Sequence, residues 1–461
     1  MPPGGGGRLF SGLRCGATLV IPAVFFSDRE VSQTRTLLPL LLAAAFLLAS
    51  NGLQTTMLAL RGISSGFPDA VIGLLLSAYF AGFITGCRYA PRLIQNVGHI
   101  RAFTAFASIA SAAALAHSLV TVPWAWLLLR VVTGFCFAAL QIILESWLNE
   151  ISTNESRGRI LSTYRITDFS SVTVAQLAVG LFEPTDFPPF IVMSIGLSIA
   201  LVPIALTRVA APAPPASAKL NVRKLFRVSP LAAVGAFVVG VSSAAYWSLS
   251  PVFLTAAGFT KETVGAFIAA IIFGGAIGQW PIGALSDKFD RRRVIIAVSM
   301  GTVITALGIP AVAELGRGPL LIAGFAFGIF ALPGFGLAVA HANDHAEQGE
   351  ALSVNGGLLM LFGAASVIGP IIAPPIMATF GNSALFFLVA SVYALLVAFG
   401  LYRMTARAAP EVQEPYVPVP RSSPAIFELD PRIDDTADEE TEEDRDDQGA
   451  EAGGQSSATA P

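Results

Sequence analysis

A chain of 461 residues that is 54% hydrophobic and only 13% charged lies far outside the composition of a soluble domain. Each membrane crossing takes about 20 apolar residues, so roughly 12 crossings with short loops use about 370 residues and leave room for tails. The net charge of -3 hides a segregation: residues 1–410 carry 25 Lys or Arg against 16 Asp or Glu, and residues 411–461 carry 3 against 15, so the apolar part is basic and the tail acidic.

Residues 1–36 are Gly/Pro-rich, mildly apolar from Cys15 to Phe26, then charged at Asp28, Arg29 and Glu30. No small-residue cleavage site follows the apolar part, so the stretch reads as a loosely structured cytoplasmic leader rather than a signal peptide. Apolar runs then recur at about 37–60, 68–90, 101–119, 124–147, 159–182 and 189–207. A Pro/Ala-rich, basic linker spans 208–228, and six further runs follow at about 229–256, 262–284, 294–313, 319–341, 351–379 and 384–404. The expected domains are bundles 37–207 and 229–404, with 405–461 as a disordered acidic cytoplasmic tail: its block Asp434–Asp447 holds ten acids and one arginine.

Loop charge sets the orientation. One set of connections carries Arg92, Arg101, Arg157, Arg159, Arg223, Lys224, Arg227, Lys288 and Arg291 to Arg293, with Arg208 and Lys219 in the linker; the other set carries only Arg61, Lys261 and Arg317. Both termini are therefore expected in the cytoplasm. The tenth-to-eleventh connection breaks the trend, with Asp344, Glu347, Glu350 and no Lys or Arg.

Between the eighth and ninth runs stands a short charged stretch, Gly283-Ala-Leu-Ser-Asp287-Lys-Phe-Asp-Arg291-Arg292-Arg293, read as a loop. Gly283 permits close helix approach, Asp287 offers a carboxylate to a helix N-terminus, and the arginines hold the loop to the cytoplasmic side. Pro91 to Arg101 lies 192 residues earlier and aligns with it, with Pro91 for the glycine and Gln95 for the aspartate, and Leu161-Ser162 repeats as Leu352-Ser353. Two homologous halves are the economical reading. The stretch resembles the signature of the major facilitator superfamily. Glu145-Ser-Trp-Leu-Asn-Glu followed by Arg157-Gly-Arg159, Asn343-Asp344, and Val367-Ile-Gly-Pro370 resemble the YcaD-like branch. The resemblance implies an all-α integral membrane fold of 12 transmembrane helices in two pseudo-symmetric six-helix bundles. It also implies that Asp287 docks on the N-terminus of the fifth span near Gly158 to Leu161.

Ionisable groups within the runs are few, and each costs several kcal/mol, about 2.5 or more, unless it faces a cavity or a partner. Arg130 with Gly134 makes Arg-x-x-x-Gly, which resembles the superfamily's fourth-helix motif, where the arginine is tied to substrate or proton coupling; backbone carbonyls of its own bundle could equally satisfy it. Asp168 falls near the midplane, either as a proton carrier or paired statically with Arg165 three residues before it. Glu145 and Arg165 lie at similar depth and could pair between helices as a cytoplasmic gate, with Arg159, Gln95 and Arg101 at the same end. Asn51, Gln54, Thr55, Gln141, Gln176, Ser242, Ser243, Tyr246 and Trp247 could face a cargo cavity or serve helix packing.

Cys15, Cys87 and Cys136 have no metal spacing, and His341 and His345 lack a third ligand, so no metal or other cofactor is expected. A phosphate-binding loop, a nucleotide fingerprint and a nucleophile elbow are absent, so an ATP-driven pump or hydrolase lacks its chemistry and no enzyme activity is expected. The expected function is a secondary-active, proton-coupled carrier of a small molecule in the plasma (inner) membrane, monomeric, with the lipid bilayer and no nucleic acid as partner. The alternatives are a passive facilitator and a non-transporting membrane sensor or scaffold.

Overall fold

A computed structural model describes residues 28–206, 212, 221–347, 349–406, 413 and 415–430. Most of the leader, most of the linker with Arg208 and Lys219, Cys15, and the acidic block Asp434–Asp447 lie outside the described residues. The first half runs α1 (Asp28–Ser64), α2 (Asp69–Val97), α3 (His99–Leu119), α4 (Pro123–Glu150), α5 (Arg157–Ala178), and α6 (Pro188–Ile199) continued by α7 (Leu201–Ala205). After the short α8 (Val222–Val228) come α9 (Pro230–Ala256), α10 (Lys261–Lys288), α11 (Arg291–Ala313), α12 (Arg317–Ala331) continued by α13 (Gly334–Asn343), α14 (Ala351–Phe380) and α15 (Ala384–Ala406). No strand occurs among the described residues.

Local chemistry sets the turns between these helices. Gly98, at φ +90°, ends α2 and opens α3 as a single-residue turn. Ser229 caps α9 by accepting from the Ala232 N–H at 3.2 Å, with Pro230 at the first helical position. Asp290 caps α11 by accepting from the Arg292 N–H at 3.0 Å.

Eleven helical segments among the described residues are long and apolar enough to cross a membrane, counting α6 with α7 and α12 with α13 as one each. The twelfth is α5, whose 22 residues include Arg157, Arg159, Arg165 and Asp168. Its polarity places it at the seam between the halves, because a helix with this many charges cannot present them to lipid. The connections α2–α3, α4–α5 and α10–α11 bring the basic residues to one end, called here the basic face.

The halves meet along two pseudo-equivalent pairs, α2 with α14 and α5 with α10. Away from the basic face both pairs are shut. A Cβ on Gly73 would run into the Pro370 carbonyl, and the Ser77 hydroxyl donates to the Val367 carbonyl at 2.8 Å. Gly265 of α10 lies as close to the Gln176 carbonyl of α5, and Lys261 at the start of α10 pairs with Glu183.

Two expectations need correcting. The stretch Gly283 to Lys288 is the last part of α10 rather than a loop; only Phe289 and Asp290 separate α10 from α11. The tight turn at Phe289 and Asp290 leaves Asp287 at the end of α10 and Arg291 at the start of α11 within reach of each other, at 3.4 Å. The tail is not disordered throughout. Residues 415–430 are packed into the basic face, ending in a 3-10 turn, Pro424–Leu429, whose Ile426, Phe427 and Leu429 are fully buried. Apolar residues at the rate found here, stiffened by Pro415, Pro418, Pro420 and Pro424, lose little chain entropy on docking and bury enough surface to offset it.

Candidate functional site

A cavity of about 260 Å³ lies where the two halves face each other. Asn51 of α1, Tyr79 of α2, Gln141 of α4, and Tyr164, Arg165, Asp168 and Phe169 of α5 line it from the first half. Ser243 and Trp247 of α9 and Phe362 of α14 line it from the second, and Pro420, Arg421 and Ser422 close it from the tail. Aromatic rings and polar or charged side chains line it in similar number, with aliphatic groups between them, a mixed make-up suited to a small polar molecule.

Asp168 is ion-paired. Arg165 Nη1 donates to its Oδ2 at 2.6 Å, and the Arg165 guanidinium sits 4.2 Å from the Phe169 ring centre. The carboxylate keeps about a fifth of its side chain exposed, at 21%. The expected Glu145–Arg165 pair does not form. Glu145 is fully buried and accepts instead from the Tyr164 hydroxyl at 2.9 Å and from the Ser423 hydroxyl of the tail. Arg165 has turned to the carboxylate one helical turn along its own helix, which costs no strain between helices.

Arg130 lies one layer behind the cavity. It is 1% exposed, its guanidinium stands 4.5 Å from the Tyr79 ring centre, and it donates to the Leu75 carbonyl at 3.3 Å, to Thr55 Oγ1 at 3.4 Å and to Gln54 Oε1 at 3.5 Å. These are partners within its own half, and Tyr79 stands between it and the cavity. Gln54 belongs to this arginine cluster and not to the lining, whereas Asn51 reaches the lining and donates to the Tyr79 hydroxyl at 3.1 Å. Gln176 is spent on packing α1 against α5, accepting from Thr56 at 2.8 Å and donating to the Gly52 carbonyl at 2.9 Å. Trp247 lines the cavity; Tyr246, 1% exposed, packs edge-on against Phe327 inside the second half.

A larger opening of about 750 Å³ lies between α5 and α10 on the basic-face side, running from Ser162 and Arg165 on α5 to Gln279, Gly283 and Asp287 on α10. Tyr416 and Pro418 of the tail cross it. The protein is thus shut away from the basic face and parted towards it, with the tail in the gap.

The sequence description of the Major Facilitator Superfamily matches residues 40–316 and 232–429. The chain belongs to the major facilitator superfamily. An uncharacterized MFS-type transporter of Salmonella typhimurium (strain LT2), YcaD, is 25% identical over 366 residues, covering 78% of this chain and 94% of that protein. One from Enterobacter sp. (strain 638) is 25% identical over 364 residues, with coverage of 78% and 94%. These relatives set the chain in the YcaD-like branch of membrane transporters. Its fold is similar to the crystal structures of the nucleoside transporter NupG (TM-score 0.66, 14% identity, 81% of this chain and 100% of that one) and of an inward-facing, occupied bacterial homolog of the lysosomal transporter Spinster (TM-score 0.60, 17% identity, 81% and 95%).

The superfamily signature is used here in an unexpected way. The docking of Asp287 on the N-terminus of α5 is expected of the state closed on the basic face; in this arrangement, parted there, its Oδ1 accepts the backbone N–H of Tyr416 at 2.7 Å instead. Gly283 leaves room for the Tyr416 ring rather than for another helix, as a Cβ there would overlap that ring, and Gly336 does the same for its hydroxyl end. Arg291 is no surface tether. It is fully buried and donates to Asp344 Oδ1 at 2.6 Å and to the Ala340 carbonyl at 2.9 Å, which explains the acid that broke the charge trend. Arg292 holds both oxygens of Asp290, at 3.0 and 2.7 Å, and keeps that carboxyl below the usual carboxylate range. Gln95, Arg101 and Arg159 stay exposed on the basic face, away from the cavity.

His341 and His345 stack edge to face with ring centres 4.7 Å apart, and no group of three metal-binding side chains occurs among the described residues. Sequence reasoning missed Tyr79, Tyr164, Phe169, Phe362 and the tail residues Tyr416, Arg421 and Ser423. Tyr164 adjoins Arg165 and Phe169 follows Asp168, so the charged pair pointed at them; Arg421 offered a signal of its own, as a base between prolines ahead of the acidic block.

Proposed function

We propose that the chain is a secondary-active carrier of a small molecule in the plasma membrane, with the basic face and both termini in the cytoplasm, working as a monomer. The excess of Lys and Arg at one end supports the orientation. The observation that carries the reading is the cavity at the seam, shut on one side and parted on the other, built by a single chain. Rocking of the two halves about it would expose it alternately. Asp168 and Arg165 are the candidate coupling pair: a proton on Asp168 releases Arg165, and its loss restores the pair, so the two protonation states favour different arrangements of α5.

The test uses proteoliposomes with a pH-sensitive dye inside and a panel of radiolabelled small molecules. A cargo is expected to accumulate with an imposed pH gradient and to lose that dependence in Asp168→Asn. Equal accumulation with and without the gradient removes coupling and leaves facilitated passage. The seated tail favours a second reading, a membrane sensor whose tail is released to a partner; a chain that moves no member of the panel with residues 415–461 deleted supports it.

A further inference from the structure

The tail carries one charged side chain into the cavity, and its surroundings describe a ligand. Arg421 Nη1 donates to Ser243 Oγ at 3.1 Å, and its guanidinium stands 5.2 Å from the Phe362 ring centre. Its charge acts on Asp168 across the cavity. The Tyr246 hydroxyl is buried within reach of the same charge and makes no hydrogen bond of ordinary geometry. Arg165 takes one oxygen of Asp168, Oδ2, and leaves Oδ1 for a second donor. A planar cation between a carboxylate, a hydroxyl and an aromatic face satisfies each of these groups by charge-assisted hydrogen bonds and cation–π attraction. Among the described residues Arg421 is the one cation seated there beside the Arg165–Asp168 pair, so an occupant that replaces it without changing the net charge of the cavity carries a single positive charge.

We propose that the cavity holds a subsite for a small, planar, singly charged organic cation of the amidinium or guanidinium class, between Asp168, Ser243 and Phe362, and that Arg421 occupies it as a tethered competitor. The proposal rests on the carrier reading above and names the chemical class of its cargo. A cation arriving in the cavity displaces Arg421, and with it the segment that fills the gap between α5 and α10.

Benzamidinium is the probe, with neutral benzamide of the same shape as its control, on the full chain purified in detergent. Affinity is read by thermal shift and by tryptophan fluorescence. A tether holds its ligand at an effective concentration in the millimolar range, so vacating the subsite is expected to tighten benzamidinium binding about tenfold or more. Arg421→Ala and Arg421→Gln are expected to show that gain in full, Arg421→Lys, which keeps the charge without the planar fork, to show part of it, and benzamide to bind alike in all. Adding Asp168→Asn to Arg421→Gln is expected to abolish the gain. Equal affinity in the native chain and both neutral variants overturns the proposal, as does benzamide binding that rises in step with benzamidinium. Because binding is read without a membrane, a chain that binds benzamidinium as expected but transports nothing keeps the subsite and removes the carrier reading. A chain that carries another cargo and fails to tell benzamidinium from benzamide removes only the subsite.

Discussion

Arg291 and Asp344 show how far a residue's role depends on what the fold puts beside it. In sequence one is the first of three arginines and the other a stray acid 53 residues on; in the fold both side chains are buried, at 1% and 0% exposure, and bonded at 2.6 Å. Removing one partner of such a pair leaves an uncompensated buried charge, at a cost of about 3–5 kcal/mol. Asp344→Asn is therefore expected to lower the thermal unfolding temperature of the purified protein markedly, whereas Glu314→Gln, at an exposed site, is expected to change it little. A shift for Asp344→Asn as small as that of Glu314→Gln would remove the structural role given to this pair. The arginines were legible as a signature and the acid as an anomaly, but their meeting was not, because nothing in local sequence spacing joins residues 53 apart on different helices. Asp168 was more legible: Arg165, which donates to it, is three residues away on the same helix face.

At the scale of elements, the helices followed from the apolar runs because lipid leaves a spanning segment no choice but helix. The exception was instructive: α5 is too polar to pass as a span by composition, and that polarity marks it as the helix carrying the cavity's charged pair. The tail element escaped because its prolines and the acidic block after it read as disorder, while Val417, Val419, Ile426, Phe427 and Leu429 lack the periodicity of a helix or strand, and the turn that holds the last three finds its partners on the distant α4, α14 and α5. Glu428 sits in this element and accepts from Asn149 Nδ2 at 3.3 Å. Burial pushes its carboxyl above the usual carboxylate range, partly offset by Arg157. A carboxyl raised in the docked state supports docking fully below its free value, and that support is lost as pH rises through the docked value. Above the free value the carboxyl of an undocked tail is ionised, and burying it opposes docking. Glu428→Gln keeps the hydrogen bond without the charge and is expected to protect the tail better against protease at pH 7, with the two proteins converging on acidification. A native tail that is protected equally from pH 4 to pH 7 would argue that Glu428 has no part in docking.

For the whole molecule, the tail and the transport cycle compete for one space. Closing the basic face requires α5 and α10 to come together there, yet Tyr416 and Pro418 stand between them and Arg421 stands in the cavity beyond. A docked tail and a closed basic face exclude each other, so docking stabilises the state parted towards the basic face by its own free energy and by no more than that. Ser77, 3% exposed where α2 meets α14 away from the basic face, reports the other state, since it is uncovered only when that seam opens. With Ser77→Cys and a membrane-impermeant maleimide applied from the side opposite the basic face, the full chain is expected to label slowly. The same chain ending at Ala406 is expected to label faster, about tenfold for each 1.4 kcal/mol of docking energy removed. Ser243→Cys, under Arg421, should become more reactive from the basic face in the same truncation, which separates loss of the tail from general loosening: a loosened protein would also expose Cys136, buried within α4. Equal Ser77→Cys labelling with and without the tail would mean that the tail fills the gap without biasing the cycle. Faster labelling would make residues 415–430 a brake whose release is coupled, through Arg421, to the arrival of whatever the cavity binds.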